Sequence, residues 1–278
     1  MRNSNPQELF AEMMARPEEE IDLATAALLI AQQEYPSLSI ARYLHRLDAM
    51  AAEVSARLGT DREPYRVIER LNHYLFAEQG FRGNREQYYD PRNSFLNEVL
   101  DRRTGIPITL ALVYMEIGKR IDLPIEGIGF PGHFLIGYRT GCERIFLDPF
   151  QEGTILQEQD CQDLLYQIYG QRVPFQKSFL SPLSKKQFLT RMLNNLKQIY
   201  LHLQAYRKAI TITDYLLLVN PQAYEEIRDR GIFYYQLKAY PEALSELSRY
   251  LQSFPEARDA SVVYRNVRTL RRLIGMLN

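Results

Sequence analysis

The 278-residue sequence has no tryptophan and only two cysteines, Cys142 and Cys161. Two thiols cannot make a disulfide framework or a four-ligand zinc site, although one bridge remains arithmetically possible. A reducing compartment is the simpler inference. Three of the four histidines, His45, His73 and His202, stand alone inside helical patterns without an HxxxH or CxxC partner. No metal site is therefore legible, and no cofactor is expected. A Gly-rich phosphate loop, a GxSxG elbow and a nucleotide fingerprint are equally missing. Net charge is absent too, with 34 basic residues against 34 acidic, which removes the bulk attraction of a nucleic-acid or anionic-membrane binder. The longest mostly apolar stretch, Leu23 to Ala31, falls far short of the ~18 to 20 residues that cross a bilayer. The first twenty residues are polar and acidic where a secretory signal would need a basic segment and an apolar run, so a cytoplasmic location is expected.

What remains is an ordinary globular composition, 46% hydrophobic and 24% charged, with 14 Gly and 14 Pro. The length is about twice a ~150-residue domain, so two structural units are expected. From Glu18 to about Gln79, apolar residues recur at helical spacing (Ile40, Leu44, Leu47, Met50, Val54; Val67, Ile68, Leu71, Leu75), which predicts three helices. Their breaks fall at Tyr35-Pro36-Ser37 and at Gly59-Thr60-Asp61. Residues 79–93 are rich in Gly, Asn, Asp and Pro and read as a long ordered loop. Pro107 marks a first helical turn, because its missing N–H has no intrahelical partner there, and a helix to about Ile121 follows. Glycine-punctuated runs then predict strands in IEGIGF, GHFLIGYR and CERIFLD.

A two-residue turn at Thr140-Gly141 would set Arg139 opposite Cys142 and, counting back along the ladder, His133 opposite Asp148. Directly opposed Cβ atoms lie about 4.5 to 5.5 Å apart, so imidazole and carboxylate would touch, as they do where a carboxylate orients a catalytic histidine. The structural alternative is a half-buried histidine satisfied by an aspartate. Cys142 would lie about 20 Å from Asp148 along the strand at ~3.3 Å per residue, too far to serve that histidine. Nothing in the spacing ties Cys161 to it either.

The C-terminal third repeats with a period of 34 residues: Tyr200 with Tyr234, Tyr206 with Tyr240, Ala209 with Ala243, Leu217 with Leu251, Pro221 with Pro255. This is the tetratricopeptide length and pattern. Units of residues 190–223 and 224–257 are expected, with residues 258–278 as a closing helix. Charge is unevenly spread. Residues 140–165 hold six acids and one base, whereas 171–208 hold eight bases and no acid. Intramolecular docking or solvated helix faces account for such runs more simply than an acidic partner, and nucleic acid is not favoured.

The motifs RRTGIPITLALVYMEIGKR, GIGFPGHFLIGY and IFLDPF, with GFRGNREQYYDPRNSFLNEVL before them, resemble the SirB1 family of transglutaminase-like proteins over about residues 18–257. The resemblance implies an α+β fold: a helical N-terminal region, a transglutaminase-like (papain-like) core with a small antiparallel sheet, then an all-α tetratricopeptide-repeat module. Domains of residues 1–180 and 181–278 follow. Active transglutaminase-like enzymes carry a cysteine at a helix start, a histidine on a strand and an aspartate before a proline on the next. His133 and Asp148 match the last two, and Pro107 stands where the cysteine belongs.

A proline there offers no nucleophile. Thr109, about 200° around the helix at ~3.6 residues per turn, would point away from the vacated place. The expectation is a pseudoenzyme, a non-catalytic interaction, scaffold or regulatory factor. It would bind a protein or peptide partner through the repeat groove or a degenerate cleft holding the vestigial His133–Asp148 pair, lined by Asn97, Glu98, Pro107 and Thr109. The alternative is a cysteine-independent hydrolase or transferase that uses His133 and Asp148.

Overall fold

The structure is a computed structural model and describes residues 5–141, 143–170 and 173–277. It is α+β, and it divides into two compact units, one ending at Met192 and the other beginning at Leu193.

The first unit opens with a helix the sequence reading did not assign, α1 (Pro6–Met14), started by Asn5, whose side chain accepts from the Gln7 amide at 3.1 Å. Three helices follow where the periodicity puts them: α2 (Leu23–Ala31), α3 (Ile40–Leu58) and α4 (Pro64–Asn72). Asp22 caps α2 by accepting from Thr25 N at 2.8 Å, and Glu63 caps α4 by accepting from Arg66 N at 2.9 Å. Residues 79–93 are mostly irregular, apart from a two-residue strand β1 (Arg82–Gly83) and the start of a 3-10 turn (Pro91–Ser94). β1 pairs in parallel with β2 (Thr104–Gly105), on either side of α5 (Leu96–Arg102).

Next comes α6 (Pro107–Arg120), started by proline as expected and buried nearly all round, including Glu116, which pairs with Arg120. A helix without a polar face needs cover on every side. It packs on α2, α3 and α5 and on an antiparallel sheet in the order β3 (Ile125–Ile128), β4 (Leu135–Thr140), β5 (Glu143–Asp148), β6 (Thr154–Leu156). β6 was not foreseen in the sequence. One sheet face turns Ile125 towards α6, as shown by the contact a Cβ at Gly118 would make with that side chain. The other face presents Ile128, Leu135 and Phe146 to Cys161 and Leu165 of α7 (Glu158–Tyr169) and to Leu180.

The hairpin register corrects the sequence reading. Thr140 pairs with Glu143, Arg139 with Arg144 and Ile136 with Leu147, so the turn is one residue later than Thr140-Gly141. Cys142 lies outside the described residues, so its expected pairing with Arg139 is replaced by Arg144. Moving the turn by one residue moves each partner by two, and because side chains alternate with period two, every residue keeps its face.

Helix α8 (Lys185–His202) continues into the second unit, which contains α9 (Tyr206–Val219), α10 (Tyr224–Gln236), α11 (Tyr240–Ser253) and α12 (Ala260–Leu277), the closing helix. The 34-residue period extends to the backbone. Gln204 and Lys238 both take positive φ, at 55° and 60°, and the amides of Ala205 and Ala239 reach back to Tyr200 O and Tyr234 O. Ala209 and Ala243 are fully buried, which lets the paired helices approach closely. Ala209→Trp and Ala243→Trp should each overpack a hairpin and cost ~1 to 3 kcal/mol. Thermal midpoints equal to wild type in both variants would contradict this packing.

Candidate functional site

The end of β5 and the turn before β4 bring two of the expected residues together. His133 Nε2 lies 2.8 Å from Asp148 Oδ2, with the histidine side chain 12% exposed and the carboxylate 3%. The pair is real, but the route to it differs from the expectation. His133 precedes β4, in a turn where its amide bonds Phe130 O at 3.1 Å, and Asp148 pairs along the ladder with Thr154. The imidazole therefore reaches the carboxylate from a turn rather than from a directly opposed strand position.

Both partners are held by the main chain. Gly132 takes φ +69°, and a Cβ there would come within 2.7 Å of Ile168. This turn needs glycine for its backbone conformation and for space. Asp148 Oδ1 accepts from Phe150 N at 2.9 Å, and Asp148 O accepts from Gly153 N at 2.9 Å. Gly153 O accepts from Asn72 Nδ2 at 2.9 Å, while Asn72 Oδ1 accepts from the Tyr114 hydroxyl at 2.8 Å. The carboxylate thus stands at the end of a chain of bonds that runs through α4 and α6.

The sequence reading missed Phe150 and Arg191. The Phe150 ring meets the His133 ring at 6.1 Å and 75°, with Arg85 above it at 5.6 Å and Tyr88 edge-on at 6.3 Å. Arg191 donates Nη2 to Phe130 O at 2.7 Å and to His133 O, and its guanidinium lies over Phe134. It has no carboxylate partner among the described residues, and burial holds its pKa below the ordinary value, with Tyr88 and Tyr169 acting the other way. Phe150 was findable from the Asp148-Pro149 turn. Arg191, 58 positions from His133 and set within a basic run, gave no local signal.

At the start of α6, Pro107 is buried and Thr109 is fully enclosed. The Thr109 hydroxyl donates to Asn93 O at 2.7 Å and accepts from Ile106 N at 3.1 Å, so it caps the helix instead of facing a substrate. Asn97 and Glu98 stand on α5. The Asn97 side chain is buried, its Oδ1 without a hydrogen-bond partner among the described residues, and half-buried Glu98 accepts from the Tyr35 hydroxyl, whose pKa rises chiefly through burial and then through Glu98. Neither makes a hydrogen bond to His133 or Asp148 among the described interactions.

Cys161 sits on α7 against the sheet face that carries Asp148. Burial first, and then Asp160, Glu158 and Asp148, push its thiol up to about 12. A thiol so raised is protonated at neutral pH and is a poor nucleophile. The His133–Asp148 pair thus presents an oriented imidazole, and Cys161 is not an activated thiol for it.

No solved structure matches the chain. The sequence is similar to a UPF0162 protein of Xylella fastidiosa, 34% identical over 88% of this chain and 89% of that one. It is also similar to Protein SirB1 of Salmonella typhimurium, 26% identical over 85% and 87%. Human F-box only protein 21 is 30% identical over 63% of this chain but only 29% of its own length. A tetratricopeptide-repeat family matches residues 196–268. The transglutaminase-like superfamily matches residues 41–194, more than half of the chain and the whole of the four-stranded sheet with His133 and Asp148, and the protein belongs to that superfamily.

Proposed function

We propose that this chain is a non-catalytic transglutaminase-like protein that works as an interaction, scaffold or regulatory factor in the cytoplasm. The start of α6 carries the reading. The cysteine-dependent acyl-enzyme route of transglutaminase-like enzymes needs a thiolate at a helix N-terminus beside an imidazole, and here Pro107 stands where the resemblance sets that cysteine, with the Thr109 hydroxyl committed to Asn93 O and Ile106 N. The free thiol of Cys161 is buried and held protonated. Tetratricopeptide repeats generally mediate protein–protein interaction, and stacked helical hairpins offer an extended surface for it. The partner is a protein or peptide segment, taken up by the repeat groove or by the degenerate cleft beside His133. No helix among the described residues is long and apolar enough to cross a membrane.

Much of the basic run at residues 171–208 is engaged internally, which supports a protein partner over nucleic acid. Lys185 bonds the carbonyls of Glu19 and Ile21, Arg191 those of Phe130 and His133, and Lys197 pairs with Glu226 and Asp229. One observation favours a second reading, a cysteine-independent hydrolase or transferase. The His133–Asp148 bond occupies Nε2 and leaves Nδ1 without a described partner, which suits a general base.

Purified full-length protein should show neither acyl transfer nor peptide hydrolysis above background, and His133→Ala should leave that background unchanged. Turnover that disappears in His133→Ala, with native circular dichroism, would favour the second reading. Cys161 provides an independent check. Its alkylation at pH 8, followed by mass spectrometry of the Cys161 peptide, should be about two orders of magnitude slower in native than in urea-unfolded protein. The sign of the accompanying pH dependence follows from the raised folded-state pKa. The thiol's contribution to stability is complete below the ordinary value of 9.0 and is lost as pH rises towards about 12. Equal alkylation rates in the two states would show that the thiol is accessible and ionised.

A further inference from the structure

We propose a second ligand site at the tip of the β4–β5 hairpin, for a nucleotide-like phosphate ester, separate from the His133–Asp148 pair. A cavity of about 750 Å³ opens there, lined by Arg139, Arg144, Lys177, Glu158, Gln157 and Tyr65 among others. Its volume is that of small-ligand pockets in general. Among the described residues that line it, three are cations and one, Glu158, is a carboxylate. Asp148 is four residues along β5 from Arg144, roughly 13 Å at ~3.3 Å per residue, so the two sites are distinct.

The register supplies the main argument. Arg139 and Arg144 are directly opposed on adjacent antiparallel strands, where like charges disfavour pairing. Only one of them has a partner among the described residues. Arg144 donates Nη1 to Leu180 O at 3.0 Å and lies 3.4 Å from Glu126 Oε2, which fixes its direction. Arg139 has no acidic or hydrogen-bonding partner among the described residues. The Lys177 ammonium is 86% exposed and only loosely paired with Glu158. An anion bridging the two guanidinium groups would relieve the repulsion, and the planar fork of arginine matches the oxygens of a phosphate.

Two further features narrow the ligand. Gln157 is the N-cap of α7, so the positive end of a twelve-residue helix borders the cavity, partly offset by Glu158 and Asp160 in its first turn. Tyr65, 45% exposed, adds an aromatic surface on which a base can stack. Phosphate oxygens on the opposed arginines and a ring against Tyr65 describe a nucleotide rather than a bare anion.

Isothermal titration of the full-length protein in low-salt chloride buffer, with ATP, inorganic tripolyphosphate and citrate as probes, tests this assignment. The expected order is ATP tightest, tripolyphosphate next and citrate weakest. Arg139 and Lys177 are not tied into the fold, so the Arg139→Gln, Lys177→Gln double variant should keep the wild-type thermal midpoint while binding ATP at least about tenfold more weakly, as expected for loss of charge-assisted bonds. Tyr65→Ala should remove the preference for ATP over tripolyphosphate. No saturable binding of ATP, citrate binding as tight as ATP, or unchanged affinity in the double variant would overturn the site. Equal affinities of ATP and tripolyphosphate in the wild type would overturn the nucleotide assignment.

Discussion

The carboxylate of Asp148 is the point on which the first unit's geometry turns. A buried carboxylate is tolerated only when its oxygens are partnered, and here Oδ1 takes the Phe150 amide and Oδ2 the His133 imidazole. The same residue ends β5 and, through its own carbonyl, receives Gly153 N, so one residue fixes the strand end, the following turn and the histidine. Leaving such a group unpaired costs more than the hydrogen bond itself is worth. This explains how the pair persists whether or not it does chemistry. A structural pair and a catalytic pair look alike at this distance, and the distinction has to come from what stands beside them.

The start of α6 is built for stability. Proline at the first position of α6 is pre-organised for a helix start, and Thr109 closes the cap by bonding Ile106 N and tying α6 to Asn93. Gly105 is part of the same arrangement, because a Cβ there would come within 2.7 Å of the Thr109 hydroxyl. Such a start is well made for burying a helix on all sides. It leaves no acidic proton to remove and no thiolate for the helix dipole to stabilise.

Legibility in the sequence followed the range of the interactions. Helices whose caps and apolar spacing are local, Ile40–Leu58, Pro64–Asn72 and Pro107–Arg120, could be read directly, and so could the 34-residue repeat, which the structure carries down to the positive φ of Gln204 and Lys238. The seven-residue Leu96–Arg102 could not. The His133–Asp148 pair was reached from a hairpin count that was off by one residue in the turn. The error kept Asp148 on the correct sheet face because it moved partners by two, and the turn holding His133 closed the remaining gap. β6 and the two-residue strands were too short to leave a periodic signal. Arg191 is the instructive miss. Its role depends on the backbone carbonyls of residues 130 and 133, and no pattern of side chains can encode that.

The cancelling charges of the chain are arranged in the second unit as networks rather than as a uniform surface. Lys197, 5% exposed, is held by Glu226 and Asp229. Arg230 joins Asp214 to Glu246, and Arg228 joins Asp229 to Asp259. Burial raises the pKa of Glu226 and of Asp214, so desolvation opposes these pairs even as the cations favour them. Desolvation offsets most of their Coulombic gain, and their value lies in fixing which helix meets which. The two repeats share their apolar skeleton but not these ions: one period on from Lys197 stands Gly231, where a Cβ would lie 2.8 Å from Leu247. A lysine side chain at the later position would collide with α11, whereas the earlier one reaches two acids of α10. Two hairpins of the same period are thereby made non-interchangeable at this position.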